Sequence, residues 1–251
     1  MGDVRFGSVR ILGVRVDKVT TEQALGAMER FIAEGRPHQI VTLNPEFVME
    51  AQRNPEFRVT LEEADLALPD GVGLLWAARL LGQPLPERVT GSDTVPLIAE
   101  MSARRGYRLY LLGAAPGVAE KAAEALRRKY PGVQIVGTYA GSPDPAEEEG
   151  IIARIREASP DFLFVAYGAP RQDLWIHRNL SRLGVPVCMG VGGTLDFIAG
   201  VAVRAPRWMR KMGLEWLHRL LHQPWRWRRM LALPRFAYLV ARQALFGAGR
   251  E

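Results

Sequence analysis

The sequence predicts an α/β protein with a Rossmann-like, mainly parallel sheet flanked by helices, followed by a C-terminal helical appendage. Short apolar or β-branched runs alternate with helical patterns, and Gly, Pro, Asp and Asn bound the runs, as expected of βα units. Near residues 201–206 the pattern changes to helices rich in Arg and Trp, without further strands. The charge changes at the same place.

Each element follows from one of these patterns. The runs with the composition of strands are 9–16, 39–43, 66–68, 108–112, 134–137, 162–166 and 186–189. The segments with helical periodicity are 21–34, 45–52, 55–64, 72–81, 94–105, 117–130, 145–158 and 170–182. Thr20 or Thr21, Ser92 and Asp144 are expected to cap the helices that follow them.

The chain is expected to divide into an α/β catalytic domain, 1–203, and a basic, Trp- and Arg-rich helical appendage, 204–251. The 251-residue chain has a net charge of +6, but residues 201–251 hold 11 Lys or Arg against two Glu. Residues 1–200 are therefore slightly acidic. An anionic partner of the appendage would explain this distribution.

Composition also indicates in which cellular compartment the protein works. The one cysteine, Cys188, lies in an apolar run and is expected to be a buried thiol in a reducing environment. The N-terminus has no apolar signal segment, and no uninterrupted apolar run reaches the roughly 18 residues of a membrane span. We expect a cytoplasmic protein that is peripheral on the inner face of the plasma membrane.

Polar residues follow four of the strand runs, where open parallel sheets bind their ligands. These junctions contain Thr42 with Asn44, Asp70 with Gly71, the stretch 167–173, and the stretch 190–196 with Gly192 and Gly193. The first three lead into helices, whose N-termini favour anions. Each junction alone is better explained by a helix cap or a turn, but four together favour a phosphorylated ligand.

The familiar nucleotide and metal motifs are missing from the sequence. The stretch 112–117 departs from GxGxxG, and neither GxxxxGK[ST] nor an Asp-x-Asp pair occurs. His218 and His222 share a helix face, but Trp and Arg surround them. We therefore expect no metal and no redox cofactor.

A catalytic hypothesis can then be built from a carboxylate and organic cations. Asp70 follows a strand, where it could take a proton from a sugar hydroxyl. Arg88 could hold a departing diphosphate with its planar guanidinium, and Gln172 could donate to the same oxygens. An ordinary surface position for Arg88 remains the alternative.

The appendage has the composition of a membrane-binding segment. Residues 207–247 combine Arg with Trp, Leu, Met and Phe, and Pro234 predicts a kink or a helix start. Such helices favour lipid headgroups, and each basic residue adds roughly 1 kcal/mol near anionic lipid. Two alternatives stay open: the helices pack on the body, or the chain is a nucleic-acid-binding protein whose tail follows phosphates.

Six segments, in this order, resemble the WecG/TagA/CpsF glycosyltransferases over nearly the whole chain. They are TLNPEFV (42–48), LPDGVGLLWAARLLG (68–82), RVTGSD (88–93), YGAPRQDLWI (167–176), VGGTLDFIAG (191–200) and RAPRWMRKMGLEWLHRLLHQPWRW (204–227). The resemblance implies an inverting, metal-independent hexosyltransferase that needs no cofactor. It would move N-acetylmannosamine from UDP-ManNAc to N-acetylglucosamine-diphospho-undecaprenol, as in synthesis of the teichoic acid linkage.

The same resemblance implies the partners. They are a UDP-sugar donor, a polyprenyl-diphosphate-linked acceptor and an anionic membrane surface, with no nucleic acid; homo-oligomerisation stays open. UDP-ManNAcA or UDP-glucose as donor remains an alternative that the pocket residues do not separate.

Roles are implied for single residues as well. Asp70 matches the general base, Arg88 and Gln172 the leaving-group contacts, Thr42 and Asn44 the sugar pocket, and Asp196 with Tyr139 the uridine site. Asp173 stands where Glu is usual, and Leu195 where Phe is common. The arginines expected to reach lipid diphosphate or membrane are Arg207, Arg210, Arg219, Arg226, Arg228 and Arg229.

Overall fold

The computed structural model describes residues 6–222 and 227–246. Its main sheet has six parallel strands in the order β4-β3-β8-β7-β5-β6, and a separate antiparallel hairpin joins β1 to β2. The strands are β1 Ser8–Ile11, β2 Val14–Asp17, β3 His38–Leu43, β4 Leu66–Pro69, β5 Arg108–Gly113, β6 Gln134–Tyr139, β7 Phe162–Ala166 and β8 Val187–Gly190. The predicted α/β class is confirmed.

Helices cover both faces of this sheet. They are α1 Thr21–Glu34, α2 Pro45–Ala51, α3 Pro55–Glu63, α4 Val72–Leu80, α5 Gly91–Arg105, α6 Val118–Lys129, α7 Glu148–Ala158, α8 Arg171–Leu183, α9 Thr194–Ile198, α10 Arg207–Lys211, α11 Glu215–His222, α12 Trp227–Met230 and α13 Ala232–Phe246. A short 3-10 turn, Pro145–Glu147, precedes α7.

The sheet separates the core into two sides because successive strand residues point to opposite faces. On β3, Ile40 packs with the helices α1, α5 and α6, whereas Val41 and Leu43 pack with α2, α3 and α4. All six residues of β3 are buried. Two-sided burial is also why β7, Phe162–Ala166, is a continuous apolar run.

The first strand run was predicted wrongly as one strand. The structure turns the chain at Leu12 and Gly13, so that 9–16 forms a hairpin in which Val9 pairs with Val16. Both turn residues have positive φ, 51° and 80°, the geometry of a tight two-residue hairpin. Leucine seldom adopts it, so Gly13 was the only turn signal in the sequence.

Helix capping follows the predictions with one correction. Thr20 caps α1 with a capping box, and Asp144 caps the 3-10 turn. The cap of α5 is Thr90, which accepts a hydrogen bond from the Asp93 N–H, and not Ser92. The helix consequently begins three residues before the predicted start at 94.

The last helix packs on the body of the protein. Helix α13 contacts α2 and α4, and its Phe236 and Val240 are buried in the same cluster as Val41 and Leu74. Packing of the appendage on the body, which the sequence leaves open, is therefore observed for one face of α13. Pro234 lies in the first turn of α13, so of the predicted kink or helix start the structure has the helix start.

Other faces of these helices expose large apolar side chains. Trp208, Met212, Leu221 and Tyr238 are each more than half exposed. Across 6–222 and 227–246, no helix combines the length and the hydropathy of a membrane span.

Candidate active site

A cavity of roughly 590 Å³ lies beyond the C-terminal ends of β3 and β4. Asn44, Asp70 and Arg88 all lie in its lining, so the structure brings together three of the residues that were predicted from separate motifs. The C-terminal helices close the cavity, because Trp216, Leu233 and other residues of α11 to α13 line it too.

Asp70 is held between two elements at the mouth of the sheet. Its backbone N–H donates to the Leu43 carbonyl at 2.8 Å, which ties it to the end of the neighbouring strand. Its carboxylate accepts a hydrogen bond from the Gly91 N–H at 3.2 Å. Gly91 begins α5, so the positive end of a long helix faces this carboxylate.

Glycines allow α4 to begin against α2. A Cβ on Gly71 would lie 2.6 Å from Cδ of Pro45, and one on Gly73 would lie 2.7 Å from its Cγ. Only a residue without a side chain permits this approach. The close contact brings Asp70 beside Asn44, whose side chain caps α2 by accepting from the Phe47 N–H at 3.1 Å.

Arg88 pairs with a carboxylate that comes from the far end of the chain. Its guanidinium lies 3.5 Å from Glu215 of α11, and both side chains are largely buried. Glu215 approaches because Gly213, with φ of +74°, lets the turn before α11 pack on Val72, which a Cβ would contact at 2.9 Å. A ligand diphosphate at Arg88 would have to compete with Glu215.

A second set of ion pairs fastens residue 204 to α5. Arg204 donates to both carboxylate oxygens of Asp93 at 2.7 and 2.9 Å, and Arg210 lies 3.6 Å from the same group. Burial alone would raise the pKa of Asp93, but the hydrogen bonds from Arg204 and Thr90 and the nearby positive charges lower it to about 2. Arg204 also lies 3.6 Å from Glu215.

Gln172 of α8 and Thr42 of β3 are buried and lie outside the lining of this cavity. The Gln172 side-chain oxygen accepts hydrogen bonds from the N–H groups of Gly168 and Gly192, at 3.1 and 2.9 Å. It thereby joins the loops after β7 and β8. Thr42 donates to the Gly190 carbonyl at 3.3 Å, which joins the ends of β3 and β8.

The residues expected to hold uridine occupy different parts of the sheet edge. Asp196 belongs to α9, directly after the glycine turn at Gly192 and Gly193, and Gly192 has a φ of +52°. Tyr139 ends the edge strand β6, and the Arg154 guanidinium lies 5.0 Å from its ring centroid. One uridine site made from both remains a prediction.

The predicted cationic contacts of the appendage are described only in part. Arg210 pairs with Asp93 as given above, and Arg226 lies outside the described residues. Arg207, Arg219, Arg228 and Arg229 lie on described helices, but their side chains are not among those described.

No group of three or more His, Cys, Asp or Glu side chains suited to a metal ion occurs in the part of the chain that the structure describes. His218 and His222 stack on each other with ring centroids 4.1 Å apart.

Sequence reasoning missed the ion pairs that position the C-terminal segment. Glu215 and Arg204 lie within a quoted motif, but nothing local assigns them partners more than 100 residues away. Ser92 was considered as a cap and instead hydrogen-bonds the Thr194 hydroxyl at 3.2 Å. The signal that could have suggested Glu215 is its isolation, since it is the one acid between Asp196 and Glu251.

The model of the WecG/TagA/CpsF glycosyltransferase family matches residues 9–250. The chain belongs to this family. It is accordingly a glycosyltransferase, as the six segments that resemble this family had suggested.

Similar proteins from three organisms support membership of this family. Each of them is named N-acetylglucosaminyldiphosphoundecaprenol N-acetyl-beta-D-mannosaminyltransferase. The Bacillus spizizenii protein is 36% identical over 80% of this chain and 77% of its own length, and that of Bacillus subtilis is 33% identical over 81% and 79%. The Staphylococcus aureus strain MW2 protein is 34% identical over 93% and 92%.

Proposed function

We propose that this glycosyltransferase moves N-acetylmannosamine from UDP-ManNAc to N-acetylglucosamine-diphospho-undecaprenol, with inversion and without a metal ion. The names of the relatives support the acceptor and the sugar. The observation that carries the proposal is the placement of Asp70 and Arg88 in the lining of one cavity. A base and a diphosphate-binding cation are the two groups that an inverting transfer needs.

In this reaction the Asp70 carboxylate takes the proton of the acceptor hydroxyl. The hydroxyl oxygen forms a bond to the anomeric carbon while the bond from that carbon to the UDP oxygen breaks. The Gly91 N–H, 3.2 Å from the carboxylate, orients Asp70 towards the cavity. Asp70 thereby gains one proton, and UDP departs with the electron pair of the broken bond.

Arg88 stabilises the charge that develops on the departing diphosphate. Its present partner, Glu215, lies 3.5 Å away, so donor binding exchanges one anion for another at the same guanidinium. Gln172 holds the loops after β7 and β8 in place through its side-chain oxygen, so its part in diphosphate binding is to position these loops beside the site.

The enzyme works as a peripheral protein on the cytoplasmic face of the membrane. The exposed Trp208, Met212 and Leu221 support this location, as does the basic composition of residues 201–251. Large apolar side chains beside positive charges are typical of helices that lie in the lipid interface.

The test is transfer from a panel of UDP-ManNAc, UDP-ManNAcA and UDP-glucose to a short-chain GlcNAc-diphospholipid in the presence of EDTA, with product stereochemistry read by NMR. Asp70→Asn should lower kcat by about 10²–10⁴ and leave UDP binding within twofold. Asp65→Asn is the matched control, because this carboxylate pairs with His38 at the opposite end of β4 and should leave kcat nearly unchanged.

Each part of this experiment has an outcome that would contradict the proposal. Transfer that stops with EDTA and returns with Mg²⁺ would refute metal independence, and preference for another sugar would reassign the donor. Full activity of Asp70→Asn would remove Asp70 from the reaction.

A further inference from the structure

The cavity that holds Asp70 and Arg88 has a second, apolar end. Trp76 and Leu80 of α4 form one wall, and Leu233, Phe236 and Ala237 of α13 form the other. These residues define what we call the tail groove. Trp76 and Leu80 are 66% and 57% exposed, a large apolar surface for two neighbouring turns of one helix.

We propose that the tail groove binds the isoprenoid units nearest the diphosphate of the polyprenyl acceptor. The inference rests on the proposed function for the identity of the ligand. It adds that the protein itself, and not the bilayer alone, recognises the beginning of the lipid chain.

The order of polar and apolar parts along the cavity supports this occupant. Its polar end carries Arg88, which pairs with Glu215, together with Asp70 and Asn44. The other end is apolar. A diphosphate ester of a long isoprenoid alcohol has the same order of parts: a sugar, a doubly charged linker and then hydrocarbon. With the sugar hydroxyl at Asp70, the hydrocarbon is directed between α4 and α13.

The walls are fixed by the core and need no rearrangement to form a groove. Phe236 is 5% exposed and belongs to the core cluster that contains Leu74 and Ala77 of α4. One side of α13 is therefore anchored, while the side that carries Ala237 remains exposed. Because both helices are anchored, hydrocarbon can bind between them without the cost of moving α4 or α13.

Ala237 offers a way to fill the groove without disturbing the core. It is exposed and lines the cavity, so Ala237→Trp places an indole where we expect the isoprenoid chain. Ala33 is an exposed alanine in the last turn of α1, outside the cavity lining. Ala33→Trp is thus the matched control for the same substitution on a helix surface.

The experiment is a calorimetric titration of the full-length chain with dimethylallyl diphosphate, which has one isoprene unit, and farnesyl diphosphate, which has three. Each buried methylene contributes about fourfold in affinity, so wild type should bind the farnesyl compound more tightly by at least about tenfold. Ala237→Trp should abolish this preference while changing the affinity for the short compound by less than about twofold. Ala33→Trp should behave as wild type.

The outcomes separate this proposal from the proposed function. Chain-length preference without transfer from any UDP-sugar would refute the reaction and leave the tail groove standing. Transfer with equal affinity for both diphosphates, or a preference that survives in Ala237→Trp, would overturn the tail groove. A dimer that Ala237→Trp dissociates, without any chain-length preference, would assign the groove to a second copy and would also overturn it.

Discussion

The ion pair between Asp93 and Arg204 should contribute measurably to stability, and its contribution should depend on pH. Asp93→Asn removes the negative charge that faces Arg204 and Arg210 but keeps a side chain of the same shape. The change is expected to loosen the segment after residue 204 from α5. Because that segment brings Glu215 to Arg88, the effect should reach the active site.

The magnitude follows from the pKa of Asp93, which lies at about 2 against an ordinary value of 3.8. A shift of this size corresponds to at most about 2.4 kcal/mol at 1.36 kcal/mol per pKa unit. The Asp93 side chain is 47% exposed, so solvent screening reduces the expected loss to about 1 kcal/mol. For a chain of this length that lowers Tm by about 2–4 °C.

The dependence on pH has a defined sign. A carboxylate whose pKa is lowered by folding stabilises the native state above the unfolded pKa, near 4, and loses that contribution as the pH falls towards 2. The difference in unfolding free energy between wild type and Asp93→Asn should therefore be constant from pH 5 to 8. It should shrink between pH 4 and 2.

Urea unfolding at a series of pH values measures this difference, and hydrogen exchange of α11 measures the local loosening. Glu100→Gln is the control, because Glu100 pairs with Arg104 on the exposed side of the same helix and should cost about 0.5 kcal/mol or less. An Asp93→Asn variant as stable as wild type at pH 7, with unchanged exchange in α11, would refute the reasoning.

Three further predictions concern the buried parts of the fold. Gly71→Ala places a Cβ 2.6 Å from Pro45 and should destabilise by about 1–3 kcal/mol while lowering kcat, measured by urea unfolding and by transfer assay; unchanged stability would contradict the close packing of α4 on α2. Cys188 is fully buried, and burial raises its pKa, so its labelling by a thiol reagent should occur only as fast as the protein opens. Burial raises the pKa of Asp173 to about 7, so wild type should lose stability as the pH rises from 4 to 7, and Asp173→Asn should remove that slope in denaturant titrations.

The sequence predicts the strands of the main sheet well for a physical reason. A strand buried on both faces is rich in apolar residues, and β7, Phe162–Ala166, is buried and apolar at every position. Such runs stand out against the helices around them. The hairpin at Leu12 and Gly13 was missed because leucine in a left-handed conformation carries no local signal of its own.

The active site is predictable only as far as local motifs extend. Asp70 follows a strand and Arg88 lies in a polar loop, so their types and positions suggested their chemistry. The partner of Arg88 is Glu215, and that of Asp93 is Arg204, 111 residues away. No periodicity or spacing predicts pairs at such a distance, because tertiary packing alone decides them.

The position of α4 links the two ends of the cavity. Its first residues lie against Pro45 because Gly71 and Gly73 have no side chains, and this contact places Asp70 at the polar end. About one and two turns later the same helix presents Trp76 and Leu80 to the tail groove. A rigid helix therefore sets the distance between the proposed base and the proposed lipid site, so that an acceptor seated by its first isoprene units presents its sugar at a fixed depth. A substitution that shifts α4 as a body should change the acceptor KM and kcat together, whereas one confined to the groove should change the KM alone.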